Sequence, residues 1–261
     1  MRESHHAAPA QQRAATASVP AVRIAVLSDI HANLHALDAV LADVDAQTVD
    51  ELWCLGDVVG YGPRPNECVD SMRERASFSL CGNHDLAVLG ALNVGSFSGD
   101  AARAAQWTSA VLGDPQREWL AALAPSGRRN GAELFHGSPR DPVWDYVLSE
   151  DAAYASLLAT SEQLVLVGHS HVALALAWDG TAMSGGLAPA ETNAELLDRR
   201  WLLNPGSVGQ PRDGDPRAAW LLLDTTTGHA AFRRVDYPMK VFGFDGYPSI
   251  LQNKVNTLLT F

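Results

Sequence analysis

The first third of the chain alternates short apolar segments with helical ones, and this order constrains the fold more than any other feature. Residues 22–28 (VRIAVLS), 51–55 (ELWCL) and 77–81 are short, apolar runs typical of buried strands. A helix of about fifteen residues is predicted after the first run, and Pro65 opens a second helix after the next. The predicted buried face of the first helix is Leu34, Leu37, Leu41 and Val44. This alternation predicts parallel strands in an α/β domain.

The rest of the chain predicts one long helix and further strands. Residues 101–123 have helical spacing, with core candidates Trp107, Val111, Leu112, Trp119 and Leu120. The predicted strands are residues 132–135, 163–167, 172–178, 200–203, 218–223 and 230–235. Little helix separates the last four, so we expect a second, mostly antiparallel sheet, with residues 179–198 as a loop. Two packed sheets with helices outside predict a four-layer α/β/β/α sandwich of two mixed sheets.

Polar residues that can bind a metal ion follow the ends of the predicted strands. They are Asp29, His31, Asp57, Asn83, His136, His169 and His171. Because the carboxyl ends of parallel strands meet at one edge of a sheet, we expect these side chains to converge. Asp29 and His31, like His169 and His171, alternate along the chain, so an extended segment would point each pair to one side. The set can hold two divalent ions that share one carboxylate.

The ligand types indicate which ions are expected. Mixed nitrogen and oxygen ligands without thiolate suit first-row transition metals. We expect manganese, with iron, zinc, nickel or cobalt as alternatives. Each motif alone is common, and the prediction depends on the ordered combination at strand ends.

Charge and composition indicate which kinds of binding partner can be expected. The chain has 261 residues, 47% of them hydrophobic, and a net charge of −11. No basic face is evident, which argues against nucleic acid as a partner. A small phosphorylated substrate remains compatible, because metal ions supply positive charge locally. No apolar run reaches the length needed to span a membrane, and the oligomeric state is left open.

The ends of the chain differ from its body. Residues 1–20 lack the apolar core of a signal peptide and are expected to be a disordered lead-in. Residues 21–236 form the predicted domain, and residues 237–261 are an atypical tail that contains both lysines of the chain.

Cys54, Cys68 and Cys81 show no CxxC spacing. We expect free, buried thiols, which favours the cytoplasm.

In this order, the motifs resemble the signature of the calcineurin-like metallophosphoesterases. The matching segments are Asp29-x-His31, Gly56-Asp57, Gly82-Asn83-His84-Asp85, His136 and Gly168-His169-x-His171. Asn204-Pro205-Gly206-Ser207 is similar to a segment of the small bacterial phosphodiesterase branch. The family fold is a β-sandwich flanked by helices, as expected above.

The resemblance also implies roles for single residues. Asp29, His31, Asp57 and His171 would hold one metal ion. Asp57, Asn83, His136 and His169 would hold the other, with Asp57 bridging. His84 would lie beside the scissile phosphate. Two ions about 3.5–4 Å apart would share a hydroxide that attacks phosphorus in line.

One position departs from the protein phosphatases of this family. Their GDxxDRG motif carries a second aspartate that orients the catalytic histidine, and Gly60 stands at that position here. Either the aspartate–histidine pair is missing, or Asp85 replaces it. The departure weakens the case for His84 as a strong general acid, and it favours the phosphodiesterase branch.

Substrate-side candidates lie in loops near the predicted site. Tyr61 and Arg64 follow Asp57, Arg140 follows His136, and Arg212 follows the turn at residues 204–209. An arginine there can bind phosphate through two hydrogen bonds, and Tyr61 or Trp144 can stack on a base. A salt-bridged or solvated loop is the alternative for each.

The sequence therefore predicts a metal-dependent phosphoesterase that hydrolyses a phosphodiester of a small organic phosphate or nucleotide. A phosphomonoesterase, including a protein phosphatase, is one alternative. A non-catalytic scaffold with the same fold is another. A nuclease is a third alternative, opposed by the negative net charge.

Overall fold

The computed structural model describes residues 22–238. Two six-stranded mixed sheets pack face to face, with helices on their outer faces. This is the four-layer α/β/β/α sandwich expected from the sequence. The lead-in predicted at residues 1–20 and most of the tail lie outside the described residues.

The strands are β1 (Arg23–Leu27), β2 (Glu51–Cys54), β3 (Phe78–Ser79), β4 (Ser126–Arg129), β5 (Ala132–Phe135), β6 (Leu164–Val167), β7 (Ala173–Trp178), β8 (Met183–Leu187), β9 (Asn193–Glu195), β10 (Arg200–Pro205), β11 (Ala218–Asp224) and β12 (His229–Val235). The helices are α1 (Leu34–Asp45), α2 (Pro65–Arg75), α3 (Asn83–Val88), α4 (Gly99–Val111), α5 (Asp114–Ala121) and α6 (Glu150–Leu158), and a 3₁₀ turn covers Val94–Ser96.

The first sheet has the order β3-β2-β1-β11-β12-β9. Strands β1, β2 and β3 are parallel, as predicted, with Ala25 opposite Leu52 and Trp53 opposite Phe78. Strand β11 pairs antiparallel with β1. The carboxyl ends of β1, β2 and β3 therefore lie at one edge.

The second sheet has the order β4-β5-β6-β10-β7-β8. Its central strands β5, β6 and β10 are parallel, with Leu134 opposite Leu166 and Leu202 opposite Val165. The outer strands pair antiparallel. Each sheet thus combines three parallel strands, at one side of the first sheet and in the middle of the second, with antiparallel partners.

Three apolar layers hold the sandwich together. Between the sheets lie residues such as Val26, Trp53 and Leu221. Leu37 of α1 packs in the cluster that covers the outer face of the first sheet, and Leu157 of α6 does the same for the second. Fully burying each such side chain contributes about 1.5–3 kcal/mol.

Local signals explain the two predicted helices. Asn33 caps α1 by accepting a hydrogen bond from Ala36 N–H, and Leu37, Leu41 and Val44 are buried on one face. Pro65 stands in the first turn of α2, where its missing N–H costs nothing.

Three sequence predictions were wrong in detail. The helix predicted at residues 101–123 is interrupted between Val111 and Asp114, and Val111 is 40% exposed instead of buried. Residues 179–198 contain β8 and β9 instead of forming only a loop. The last strands do not form a separate sheet, because β11, β12 and β9 join the first sheet while β7, β8 and β10 join the second.

The three cysteines are free and buried, as expected. Tyr237 is also buried, and its hydroxyl accepts a hydrogen bond from Asn33 Nδ2 at 3.4 Å.

Among residues 22–238, none of the helices combines the length and apolarity that a membrane span requires.

Candidate metal centre

The seven side chains expected to converge do so at the edge where the parallel strands of both sheets end. Asp29 and His31 follow β1, Asp57 follows β2, and Asn83 begins α3. His136 follows β5, and His169 and His171 follow β6. All seven are no more than 3% exposed.

The backbone that presents these residues differs from the expectation. Asp29, His31, His169 and His171 have φ angles of 54°, 51°, 62° and 59°, so neither alternating pair lies on an extended segment. The side chains still meet, because left-handed turns redirect the chain at the strand ends.

One cluster contains Asp29, His31 and His171. The Nε2 atoms of His31 and His171 are 3.0 Å apart, and His171 Nε2 is 3.4 Å from Asp29 Oδ1. Nitrogens that bind the same transition-metal ion lie about 3 Å apart when each bond is about 2.1 Å long and the angle is close to 90°. The spacing fits a shared cation.

A second cluster contains Asp57, His136 and His169. His136 Nε2 is 3.1 Å from Asn83 Oδ1 and 3.5 Å from Asp57 Oδ2. Asn83 therefore belongs with this cluster, as its place in the sequence motif implied.

Asp57 lies between the two clusters. Its Oδ1 accepts a hydrogen bond from His84 N–H at 2.8 Å, while Oδ2 is 3.7 Å from His31 Nε2. Gly82 permits this approach, because a Cβ there would lie 2.0 Å from Asp57 Oδ1. A side chain at position 82 would displace the carboxylate that joins the clusters.

Hydrogen bonds on the far side of the rings fix the histidine tautomers. The Nδ1 atoms of His31, His136 and His171 lie 3.2, 2.9 and 2.6 Å from the carbonyl oxygens of Val59, Leu55 and Gln210. Because a carbonyl only accepts, each Nδ1 carries the proton and each Nε2 presents a lone pair to the centre.

The Asn204–Ser207 segment fixes the backbone beside the metal centre through hydrogen bonds. Ser207 Oγ donates to the backbone oxygen of Asp29 at 2.7 Å, and Asn204 Nδ2 donates to Gly168 O at 2.8 Å. Ser28 Oγ and His169 N–H donate to Asp29 Oδ2 at 2.6 and 3.1 Å. These bonds leave Asp29 Oδ1 as the oxygen that faces the cluster.

Burial sets the charge state of the centre. It raises the pKa of Asp29 to about 7, and burial together with the Asp85 carboxylate raises the pKa of Asp57 well above its ordinary range. Burial lowers the pKa of His169 to about 2 and, with His171 nearby, lowers that of His31 well below its usual value. These histidines are therefore neutral at pH 7, with lone pairs free for a cation.

The donor set fits divalent ions. Within residues 22–238, Asp29 Oδ1, Asp57 Oδ2 and His169 Nε2 are buried without a hydrogen-bond partner. Each unpartnered buried polar atom costs about 1–3 kcal/mol. One cation in each cluster would satisfy all three atoms, so the residues present can hold the metal ions that the sequence motifs implied.

His84 lies beside these clusters, and the structure answers the question that Gly60 raised. A Cβ at position 60 would lie 2.6 Å from His84 Nδ1, so this position does face the ring. Asp85 does not replace the missing aspartate, because its carboxylate accepts hydrogen bonds from the N–H groups of Val58, Val59 and Gly82. Among the described residues, His84 Nδ1 has no partner.

The substrate-side candidates divide into two groups. Arg212 is exposed, donates its backbone N–H to His171 O at 3.1 Å, and its charge acts on Asp29 and Tyr61. Tyr61 lies with its ring centroid 4.8 Å from that of His31. Arg64 and Arg140 instead form ion pairs with Glu67 and Asp145. For these two residues the structure therefore agrees with the alternative of a salt-bridged loop.

Sequence reasoning missed two aromatic residues at the centre. The Phe97 ring lies 5.0 Å from that of His84, and the Tyr146 ring stacks on His169 at 4.0 Å. Tyr146 lies two residues beyond Trp144, a predicted base-stacking residue, so the sequence already pointed to this loop. Phe97 lies in the connection between α3 and α4, where no helix or strand pattern in the sequence marks it.

Comparisons with known proteins agree with this geometry. Residues 22–228 match the model of the calcineurin-like phosphoesterase superfamily domain. The chain is 36% identical over 238 residues to an uncharacterized protein from Methanocaldococcus jannaschii, covering 89% of this chain and 93% of that protein.

Solved structures give the same result. A metallophosphoesterase from Sphaerobacter thermophilus is 37% identical, with a TM-score of 0.78, covering 91% of this chain and 99% of that one. A hypothetical protein from Pyrococcus horikoshii OT3 shares the fold, with a TM-score of 0.67, 19% identity, and coverage of 90% and 93%.

The chain belongs to the calcineurin-like phosphoesterase superfamily. This membership confirms the resemblance expected from the sequence. It supports a hydrolase that acts on phosphoester bonds and a family requirement for divalent metal ions.

Proposed function

We propose that this protein is a dinuclear metal-dependent phosphodiesterase that acts on a small organic phosphate or nucleotide. The observation that carries the proposal is the position of Asp57 Oδ2. This buried oxygen is 3.7 Å from His31 Nε2 and 3.5 Å from His136 Nε2. A carboxylate between two sets of ligands is what two cations that share a ligand require.

The clusters support the two ligand sets that the family resemblance implies. Asp29, His31, Asp57 and His171 would hold one ion; Asp57, Asn83, His136 and His169 would hold the other. When bound, divalent ions such as manganese supply an activated water and neutralise charge on the phosphate. The protein contributes rigid placement, because the histidine tautomers are fixed before any ion binds.

His84 and Arg212 act on the phosphate itself. Burial, then the charges of His136 and Arg212, lower the pKa of His84 to about 3. The neutral ring donates one hydrogen bond to the phosphate instead of delivering a proton to the leaving oxygen. Arg212 is exposed at the same side and neutralises a phosphate oxygen.

Two features favour a diester over a monoester or a phosphoprotein. A monoester dianion with a poor leaving group needs a strong general acid, and His84 has no carboxylate behind it. Arg64 and Arg140 are already paired with acidic residues, which leaves Arg212 to meet the single charge of a diester.

The three buried free thiols fit a reducing compartment, so we propose the cytoplasm.

The direct test is hydrolysis of bis(p-nitrophenyl) phosphate and p-nitrophenyl phosphate by metal-stripped protein reconstituted with Mn²⁺. We expect metal-dependent turnover of the diester in preference to the monoester. Asp57→Ala should lower the diester rate by about 10³-fold or more, since it removes the shared ligand. Asp38→Ala, on the exposed face of α1, is the matched control and should retain activity. Preference for the monoester would indicate a phosphomonoesterase, and no turnover of either would contradict the proposal.

A further inference from the structure

Four aromatic side chains lie beside the metal centre, and we call them the aromatic wall: Tyr61, Phe97, Trp144 and Tyr146. They come from three separate segments, the loop after β2, the connection before α4 and the loop after β5. Rings that converge on one site from three segments are not the by-product of one local pattern.

The rings of the wall form a connected series that begins at His84 and His169. The rings of Tyr61 and Phe97 lie 4.6 and 5.0 Å from the ring of His84, and Trp144 lies 5.2 Å beyond Phe97. Tyr146 stacks on His169 with an interplanar angle of 17° and is 46% exposed. The ester group of a phosphate bound near His84 would therefore have ring surface within reach.

Arg212 supplies positive charge beside the aromatic wall. The Arg212 side chain donates a hydrogen bond to Gln210 Oε1 at 2.8 Å, and its charge acts on Tyr61, Asp29, His31 and His171. A long polyanion would need a row of cations beyond this point. Arg212 is exposed beside the aromatic side chains, whereas Arg64 and Arg140 are paired with Glu67 and Asp145.

We propose that the aromatic wall selects phosphoesters whose ester group is a flat aromatic ring, a nucleoside or an aryl group, over esters of alkyl or polyol groups. This inference rests on the proposed function and names its substrate class. The phosphate is held at the metal ions with Arg212, and the ring stacks on Phe97 and Trp144. Aromatic rings bind such surfaces through offset or edge-to-face contacts and buried apolar area.

Titration calorimetry on Mn²⁺-loaded protein tests the inference without relying on turnover. Adenosine 5′-monophosphate and glycerol 3-phosphate carry the same phosphate and differ in the aromatic group. We expect wild-type protein to bind the nucleotide about tenfold more tightly. Phe97→Leu and Trp144→Leu should weaken nucleotide binding by about 5- to 20-fold and change glycerol 3-phosphate binding less than about twofold.

Trp178→Leu is the matched control. Trp178 is a half-buried tryptophan that contacts Tyr154 at the far end of β7, so its loss should leave both affinities unchanged. Equal wild-type affinity for the two ligands, no nucleotide binding, or equal loss of both in the wall variants would overturn the inference. Nucleotide binding without hydrolysis of any phosphoester would reject the proposed function but would still support the inference about the aromatic wall.

Discussion

Asp29, His31, Asp57, His169 and His171 all have left-handed backbone, with φ between 51° and 62°. Such a conformation costs an L-residue about 1–2 kcal/mol. Backbone hydrogen bonds offset part of this cost, for example His31 N–H to Asp57 O at 2.9 Å. The identity of the ligands could be predicted from the sequence, because carboxylates and imidazoles at strand ends are visible there. Their conformation could not, because spacing along the chain does not specify φ.

His84 gives a prediction at this scale. His84→Gln retains a hydrogen-bond donor of similar reach, so we expect kcat for an aryl diester to fall by less than about 100-fold. A general acid fixed by a carboxylate contributes about 10²–10⁴-fold. Steady-state kinetics on bis(p-nitrophenyl) phosphate measures the loss.

The companion measurement varies the leaving group of the diester. If His84 only steadies the phosphate, the loss in His84→Gln should be similar for good and poor leaving groups. A loss that grows steeply with leaving-group pKa would show that His84 donates a proton, contrary to our account.

At the scale of elements, one carboxylate links the two sheets. Glu51 at the start of β2 accepts hydrogen bonds from Arg129 Nε at 2.7 Å, Trp53 Nε1 at 2.8 Å and Asn130 Nδ2 at 3.2 Å. Arg129 ends β4 in the other sheet. Burial alone would raise the pKa of Glu51, but these bonds outweigh it and lower the pKa to about 2.

The pH dependence of stability follows from this shift. Because the folded pKa lies below the ordinary value of 4.5, ionised Glu51 stabilises the fold above that pH. The contribution is lost as pH falls toward about 2. Glu51→Gln should lower the free energy of unfolding at pH 7 by about 1–2 kcal/mol.

Urea unfolding of wild type and Glu51→Gln at a series of pH values measures this difference. It should be constant above about pH 5.5 and shrink between pH 4.5 and the lowest pH at which the fold survives. Glu118→Gln, at an exposed position of α5, controls for loss of one negative charge. A difference independent of pH would show that the Glu51 charge is not what links the sheets.

Elements with a buried apolar pattern could be predicted, and those without one could not. β1, β2, β5 and β6 were found within one or two residues. β4 (SGRR), β8 (MSGGL) and β9 (NAE) are at or near sheet edges, where backbone pairing holds strands whose side chains carry no apolar alternation. The break between α4 and α5 was signalled by Gly113 and Pro115, but apolar spacing continues across it and concealed the signal.

For the whole molecule, the layers could be predicted but the assignment of strands to sheets could not. β11 lies beside β1, nearly two hundred residues away, and carries β12 and β9 into the first sheet. Nothing in a single sequence specifies that pairing, since either sheet would bury the same apolar residues. The metal centre was still predictable, because its residues follow the parallel strands of the two sheets.

The central claim is that one carboxylate joins two metal ions, and counting bound manganese tests it most directly. Metal analysis after removal of free ions should give two ions per chain in wild type and in Asp38→Asn. Asp57→Asn should hold one or none, because the ligand shared by both clusters is lost. Two ions retained by Asp57→Asn, or a single ion in wild type, would contradict the account.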